Sequence, residues 1–236
     1  MKRGVIIVPA CNEAPALESF LPRLAGTIAQ VPDKQIDIVV IDDGSTDNTA
    51  KVVQSRGARL VRNATNQGLG LTLRRGYQLA VDEGYDFLVS MDSDGQHDPR
   101  LLAQVLEHLE KGVDLVTASR YHPKSERHLP PLDRDLLNIA FTAIIQSVTG
   151  WKHITDPLTG FWAMNARVAK FLATNLRLER YGTCLEGLIK MWYLLEPRPN
   201  LIEVPHPAIY TQTNGGVLNR VYSPANVEDR VMHADD

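Results

Sequence analysis

Apolar residues follow two rhythms along the first half of this chain. Short, nearly unbroken runs rich in β-branched residues occur at GVIIVP (from Gly4), IDIVVID (from Ile36), ARLVR (from Ala58), DFLVSMD (from Asp86) and VDLVTAS (from Val113). Strands covered on both faces read this way, whereas half-exposed strands alternate. Between the runs, the apolar positions take helical spacing over 16–29, 47–55, 69–83 and 100–111. Helix starts are marked by Ser45, Thr46 and Asp47, and again by Asp98-Pro99. Short polar side chains there accept orphan backbone N–H groups, and proline's fixed φ suits a first helical turn. Strand–helix alternation of this kind predicts an α/β fold: a doubly wound, Rossmann-like, mostly parallel central sheet with helices on both faces.

The second half changes character. HPKSERHLPPLDR (122–134) is polar and proline-rich and reads as a loop. LLNIAFTAIIQSV (136–148) reads as a helix with little polar surface, too short to span a bilayer and suited to a buried or interfacial position. TDPLTGFWAMN turns at Asp156-Pro157 into a strand, 179–195 is helical, and NLIEVP from Asn200 is a last strand. Residues 1–210 form the folded domain in this reading, and 211–236 a polar tail.

Composition narrows the class. A chain of 236 residues suits one large α/β domain, and 44% hydrophobic with 22% charged residues is ordinary for a globular protein. The net charge of −3 argues against a polyanion-binding surface, so nucleic acid is not an expected partner. Cys11 and Cys184 have neither metal-site spacing nor a disulfide framework, which points to a reducing compartment. MKRGVIIVPAC has the onset of a signal peptide, but its apolar run is too short and reads as a first strand. The expected location is cytoplasmic, with peripheral docking at a membrane as the variant.

Ligands of doubly wound sheets sit outside the carboxyl ends of the strands. Three polar clusters fall there: VPACNEA after the first strand, IDDGSTDNT after the second, and MDSDGQHD after the fourth. In an extended segment, Asp92 and Asp94 at i and i+2 point to one side. Two carboxylates so placed raise each other's pKa unless a cation lies between them. Mg²⁺ or Mn²⁺ with a substrate diphosphate supplies that cation, since hard ions take oxygen ligands. Taken alone, Asp-x-Asp serves equally as a solvated turn before a helix. Asp42 and Asp43 can accept hydrogen bonds from a nucleobase or ribose, whereas Ser45, Thr46 and Asp47 read as turn and cap. In NQGLG, Gly68 and Gly70 allow a close backbone approach to a ligand, with Arg74 and Arg75 following.

The ordered set VPACNEA, VIDDGSTDNT, NQGLG, MDSDGQHDP, ASRY and DPLTGF resembles family 2 glycosyltransferases of the GT-A fold. The resemblance runs from Val5 to about Pro205 and is nearest to dolichol- or polyprenyl-phosphate mannosyl- and glucosyltransferases. It implies that Pro9, Asn12 and Glu13 form the loop under the nucleoside, that Asp42 and Asp43 read the base, and that Ser93 joins the donor site. It also implies that Asp92 and Asp94 hold the metal and the donor diphosphate, with Gln96 within reach of the metal. Arg120, between Ser119 and Tyr121, and Arg134 then meet an acceptor phosphate. Asp156 lies beside the acceptor, and Glu186 is a matching carboxylate on the following helix. Two departures stand out: Trp162 replaces a common Arg or Lys, and Thr213 stands where an Arg of the second basic clamp is expected, with only Arg220 near. Membrane helices that follow in some members have no counterpart in these 236 residues.

The implied reaction is an inverting, in-line displacement at the anomeric carbon of a nucleoside-diphosphate sugar. An acceptor phosphate, such as a polyprenyl phosphate, is already anionic and needs positioning. A hydroxyl acceptor needs a general base, for which Asp156 and Glu186 are the candidates. His97 and His153 read as supporting or surface groups. A haloacid-dehalogenase-type phosphohydrolase or a receiver domain would carry its acidic pair after the first strand, not the fourth. A binding protein without turnover is the distant alternative.

Overall fold

The computed structural model describes residues 1–125, 132–180 and 182–207. The expected polar tail, with Thr213 and Arg220, lies outside the described residues, as does part of the 122–134 loop. The amino-terminal half runs β1 (Lys2–Ala10), α1 (Ala14–Ile28), β2 (Lys34–Asp42), α2 (Thr49–Ser55), β3 (Arg59–Arg62), α3 (Leu69–Asp82) and β4 (Phe87–Ser90). A 3₁₀ turn (Pro99–Leu101) then leads into α4 (Leu102–Glu110) and β5 (Leu115–Ser119). The rest is α5 (Leu132–Thr149), β6 (Trp162–Asn165), α6 (Ala166–Asn175), α7 (Thr183–Leu194) and β7 (Leu201–Pro205).

Among the described residues, seven strands form one sheet in the order β3-β2-β1-β4-β6-β5-β7. Each pairing is parallel except those of β6, which runs antiparallel to β4 and β5. The unbroken apolar runs reflect cores on both faces. In β1, Val5 and Ile7 join one core with Leu73 and Tyr77 of α3 and Leu172 of α6. Ile6 and Val8 join the other with Leu17, Phe20 and Leu21 of α1 and Val105 of α4. All four β1 side chains are fully buried, each contributing about 1.5–3 kcal/mol of transfer free energy.

The predicted sheet is correct in class but not in every direction. Apolar runs look alike read either way, so the reversal of β6 is invisible to the pattern. Its consequence is functional. Ser90 at the end of β4 pairs with Trp162 at the start of β6, so the loop preceding β6 reaches the carboxyl edge of the parallel strands. That loop carries Asp156.

Two helical assignments also change. Sequence reading gave no element to 166–175, yet α6 forms there, with the Asn165 side chain accepting the Val168 N–H (3.0 Å). One residue thus closes a strand and caps a helix, which leaves no loop signal between them. The helix expected over 179–195 begins later, at Thr183, because Gly182 turns at φ +92°. Residues 176–180 are thereby released as a loop. The helix expected over 136–148 extends back to Leu132.

His206, after β7, is buried beside His97 and Phe161, and its Nε2 accepts the Asp98 N–H (3.1 Å). Burial first, then the charges of His97 and Arg120, push its pKa down to about 3. The unfolded chain binds this proton near pH 6.5 and the folded chain does not, so stability is lost as pH falls from about 6.5 towards 3. Between pH 7 and pH 5 this group alone is expected to cost about 2 kcal/mol. Urea unfolding at the two pH values should show a smaller difference in His206→Gln, which keeps an acceptor for Asp98 but does not titrate.

Candidate functional site

The site is assembled at the carboxyl edge by loops that bind one another before they could bind anything else. Asn12, at φ +56°, donates its N–H to Ser45 Oγ (2.9 Å). Its Oδ1 accepts the N–H groups of Thr46 (2.8 Å) and Asp47 (3.3 Å). Asp47 accepts the N–H groups of Ala14 (3.1 Å) and Thr49 (2.9 Å). Asn12 therefore faces the neighbouring loop rather than the cavity. Ser45, Thr46 and Asp47 do more than shape a turn: they join the β1–α1 and β2–α2 loops.

The two acidic residues at the end of β2 separate. Asp42 is fully buried, accepts the Ser45 N–H (2.9 Å) and pairs with Arg62 (3.2 Å). Asp43 reaches the cavity while accepting from Asn63 Nδ2 (2.7 Å), Gln67 N–H (2.8 Å) and Gly68 N–H (2.8 Å). Three donors on one carboxylate set the 63–68 loop in place.

A cavity of about 360 Å³ opens here. Pro9, Glu13, Asp43, Gly68, Asp92, Ser93 and Asp94 line it, so the structure gathers seven predicted donor-site residues at one opening. Asn12, Asp42, Gly70 and Gln96 do not line it. Gly70 serves a different close approach from the one expected. Its N–H and that of Leu71 donate to Glu179 O (2.8 and 3.2 Å), and a Cβ at Gly70 would come within 2.0 Å of Leu178 O. Gly68, at φ +88°, is similarly tight against Glu179 O. The glycines of NQGLG thus admit the 176–180 loop, and two N–H groups at the start of α3 are committed to it.

That loop delivers a residue the sequence reading missed. Arg180 lines the cavity and is the one cationic side chain among four lining carboxylates, Glu13, Asp43, Asp92 and Asp94. Glu186 does not reach the cavity; it steadies this loop. Its oxygens accept the N–H groups of Arg177 (2.8 Å) and Leu178 (2.9 Å), and Lys190 Nζ lies 2.6 Å from Oε1. Burial opposes its ionisation, but Lys190 and the backbone donors outweigh that and hold the carboxyl below its usual range. The available signal was Gly182, which ends the loop before α7.

Asp92 and Asp94 sit on the turn after β4. Asp94 Oδ1 accepts the Gln96 N–H (3.0 Å), which shapes the turn. Desolvation raises the Asp92 pKa, the Asp94 charge raises it further, and Arg120 opposes both. His97 lies directly beneath: Nδ1 accepts the Asp92 N–H (2.9 Å), so the ring proton belongs on Nε2, 3.6 Å from Asp92 Oδ2. Burial holds that imidazole neutral, with its pKa lowered to about 4. His153 lies elsewhere, with Nε2 against Leu201 O (2.9 Å).

A second charged unit flanks the turn. Arg120 grips the buried Asp156 through Nε (2.7 Å), Nη2 (2.8 Å) and its own N–H (3.0 Å). Both carboxylate oxygens of Asp156 are occupied. Glu203 of β7 supports the pair from behind, accepting from Thr155 N–H (2.8 Å), Thr155 Oγ (2.5 Å) and Asp156 N–H (3.1 Å). Burial raises the Glu203 pKa. Arg134 reaches towards the same turn, its Nη1 3.3 Å from Gln96 Oε1.

Comparison with known proteins places these features in context. The profile of glycosyl transferase family 2 matches residues 5–172. UDP-N-acetylglucosamine–dolichyl-phosphate N-acetylglucosaminyltransferase of Methanococcus voltae is 28% identical, with 88% of this chain and 86% of that protein aligned. Polyprenol monophosphomannose synthase of Mycolicibacterium smegmatis is 31% identical over 86% of this chain and 76% of its own. Among solved structures, glucosyl-3-phosphoglycerate synthase of Mycobacterium tuberculosis, in complex with Mn²⁺, UDP and glucosyl-3-phosphoglycerate, superposes with a TM-score of 0.67. That match covers 100% of this chain and 82% of the other at 20% identity, a likeness of fold.

The crowding at Gly70 makes a paired prediction. Gly70→Ala should destabilise by about 1–3 kcal/mol in urea unfolding, because backbone rather than a flexible side chain blocks the new methyl. Gly26→Ala, inside α1 with nothing within 4 Å of the new Cβ, should stabilise by up to about 1 kcal/mol.

Proposed function

Since this chain belongs to glycosyl transferase family 2 and is a glycosyltransferase, we propose that it transfers a sugar, with inversion, from a nucleoside-diphosphate sugar to a polyprenyl phosphate. The observation that carries the donor half is the single cavity holding Glu13, Asp43, Asp92 and Asp94 against one cation, Arg180. So many carboxylates around one opening suit a ligand that brings hydroxyls, N–H groups and a counter-ion. Glu13 and Asp43 stand at the nucleoside end, as acceptors for ribose hydroxyls and base N–H groups.

Asp92 and Asp94 fit a hard divalent ion, Mg²⁺ or Mn²⁺. Their mutual repulsion, expressed in the raised Asp92 pKa, is the imbalance such an ion corrects, and diphosphate oxygens complete its ligand set. The bound ion would supply Lewis-acid stabilisation of charge on the departing nucleoside diphosphate. His97 fixes the Asp92 backbone and directs its Nε2–H at the carboxylate, restraining the ligand's orientation. Arg180 lies across the cavity as a second source of positive charge for the leaving group.

The acceptor half rests on which carboxylates are already engaged. Asp156 holds Arg120 with both oxygens, and Glu186 holds the 177–178 backbone and Lys190. Both candidate bases are thus committed to protein donors. This favours an acceptor that needs no deprotonation, a phosphate, with Arg120 and Arg134 as the cations beside it. The names of the dolichyl- and polyprenyl-acting relatives agree with that reading.

Asp92→Asn and Asp94→Asn are each expected to lower turnover about a thousandfold or more without lowering the melting temperature, in an assay of nucleotide-sugar consumption. EDTA should abolish activity and Mn²⁺ restore it; full activity in EDTA overturns the metal assignment. Arg180→Gln should lower kcat about ten- to a hundredfold with a smaller change in donor KM, the pattern of a contact that strengthens as the leaving group gains charge.

A further inference from the structure

Helix α5 is built inside out. Its polar residues Asn138, Thr142 and Gln146, spaced i, i+4, i+8, face the protein. Asn138 Nδ2 donates to Thr155 O (2.9 Å), Thr142 Oγ to the same carbonyl (3.2 Å), and Gln146 Nε2 to Ile154 O (2.8 Å). These bonds satisfy the backbone of the loop that carries Asp156. The opposite face is left to solvent: Leu136 is 58% exposed, Ile139 59% and Ile144 48%, with Leu137 and Val148 also exposed. No charged residue occurs between 136 and 148. The stripe recurs at the helical spacing of one face, so it is continuous rather than scattered.

The patch has a distinct rim. At its carboxyl end, Tyr193 of α7 donates from its hydroxyl to Val148 O (2.6 Å), and both Tyr193 and Leu194 are exposed. Trp192 packs edge-on against Trp151 (5.2 Å), and the Arg198 guanidinium lies 4.2 Å from the Trp192 ring centre. Lys152 sits alongside, its Nζ on Gln146 O (2.9 Å). Neither Arg198 nor Lys152 pairs with a carboxylate among the described residues. Aromatic rings with polar tips and long cationic side chains around an apolar face are the composition favoured at a lipid–water boundary.

Area separates a lipid from a second copy of the chain. Thirteen helical residues extend about 20 Å, and one face of such a helix offers roughly 400 Å² at most. Each partner of a stable protein complex buries about 800 Å². A bilayer sets no such threshold, because it receives whatever apolar surface is pressed into it and adds attraction between cationic residues and anionic headgroups.

We propose that the exposed face of α5, with Tyr193, Leu194 and the Lys152–Arg198 rim, docks this protein on an anionic lipid surface. Arg134, near the start of α5, contacts Gln96 of the acidic turn. The docked helix therefore brings the acceptor side of the site to the lipid. The inference deepens the polyprenyl-phosphate reading, and its test is kept separate from that reading by leaving polyprenyl phosphate out.

Flotation of the full chain with vesicles of phosphatidylcholine and phosphatidylglycerol, lacking any polyprenyl lipid, is the experiment. The wild type should float with the vesicles. Ile139→Asp/Ile144→Asp should bind about tenfold more weakly or worse while keeping its melting temperature, since both side chains already face solvent. Ile139→Val/Ile144→Val, which keeps the face apolar, should still float. A wild type that does not float overturns the proposal. So does a concentration-dependent dimer that the aspartate pair dissolves in the absence of flotation, or a monomer whose α5 face is protected only when residues 208–236 are present. Flotation without sugar transfer to polyprenyl phosphate would leave the docking surface standing and remove the acceptor reading.

Discussion

Much of this molecule is arranged around uncompensated negative charge at one end of a buried sheet. Glu13, Asp43, Asp92 and Asp94 converge on one cavity, and Arg180 alone among the lining side chains is cationic. Like charges in a partly desolvated space resist full ionisation, which is what the raised Asp92 pKa expresses. An ordinary fold would relieve such crowding with lysines or by turning carboxylates outward. Here the loops are instead held rigidly in the crowded arrangement, so the compensation is left to what binds.

The rigidity comes from acidic and amide side chains acting on backbone. Asn12 and Asp47 join two loops, Asp43 holds a third, and Glu186 holds the loop carrying Arg180. In each case one side chain takes two or more backbone donors that would otherwise be orphaned at a loop. Asp43 does both jobs at once, lining the cavity while fixing the 63–68 segment. Residues that reach the ligand and residues that position them are in this way partly the same.

A second unit, Arg120–Asp156 backed by Glu203, shows how burial alters a residue's chemistry. Asp156 is an acid by composition, but bidentate pairing to Arg120 leaves it an anchor. Glu203 in turn accepts from Thr155 and Asp156 and is itself raised by desolvation. The inward polar stripe of α5 serves the same loop, satisfying Ile154 and Thr155 carbonyls. The exposed apolar stripe on the other side of that helix is the geometric complement of this arrangement.

The sequence by itself determined the elements and the addresses of the chemistry. Unbroken β-branched runs require cover on both faces, and glycine, proline and acidic turns at their ends mark where the loops gather, so the strands, most helices and the Asp92–Asp94 turn were legible. Only the tertiary structure decided which of those side chains face the cavity. Asn12, Asp42 and Gly70 turned out to serve neighbouring loops, and Arg180 arrived from a segment read as helix. It also decided that β6 runs backwards, carrying the Asp156 loop to the site. The reason is physical: hydrophobic periodicity reports burial, which is the same for either strand direction, whereas the partner a polar side chain finds depends on backbone groups far away in the chain.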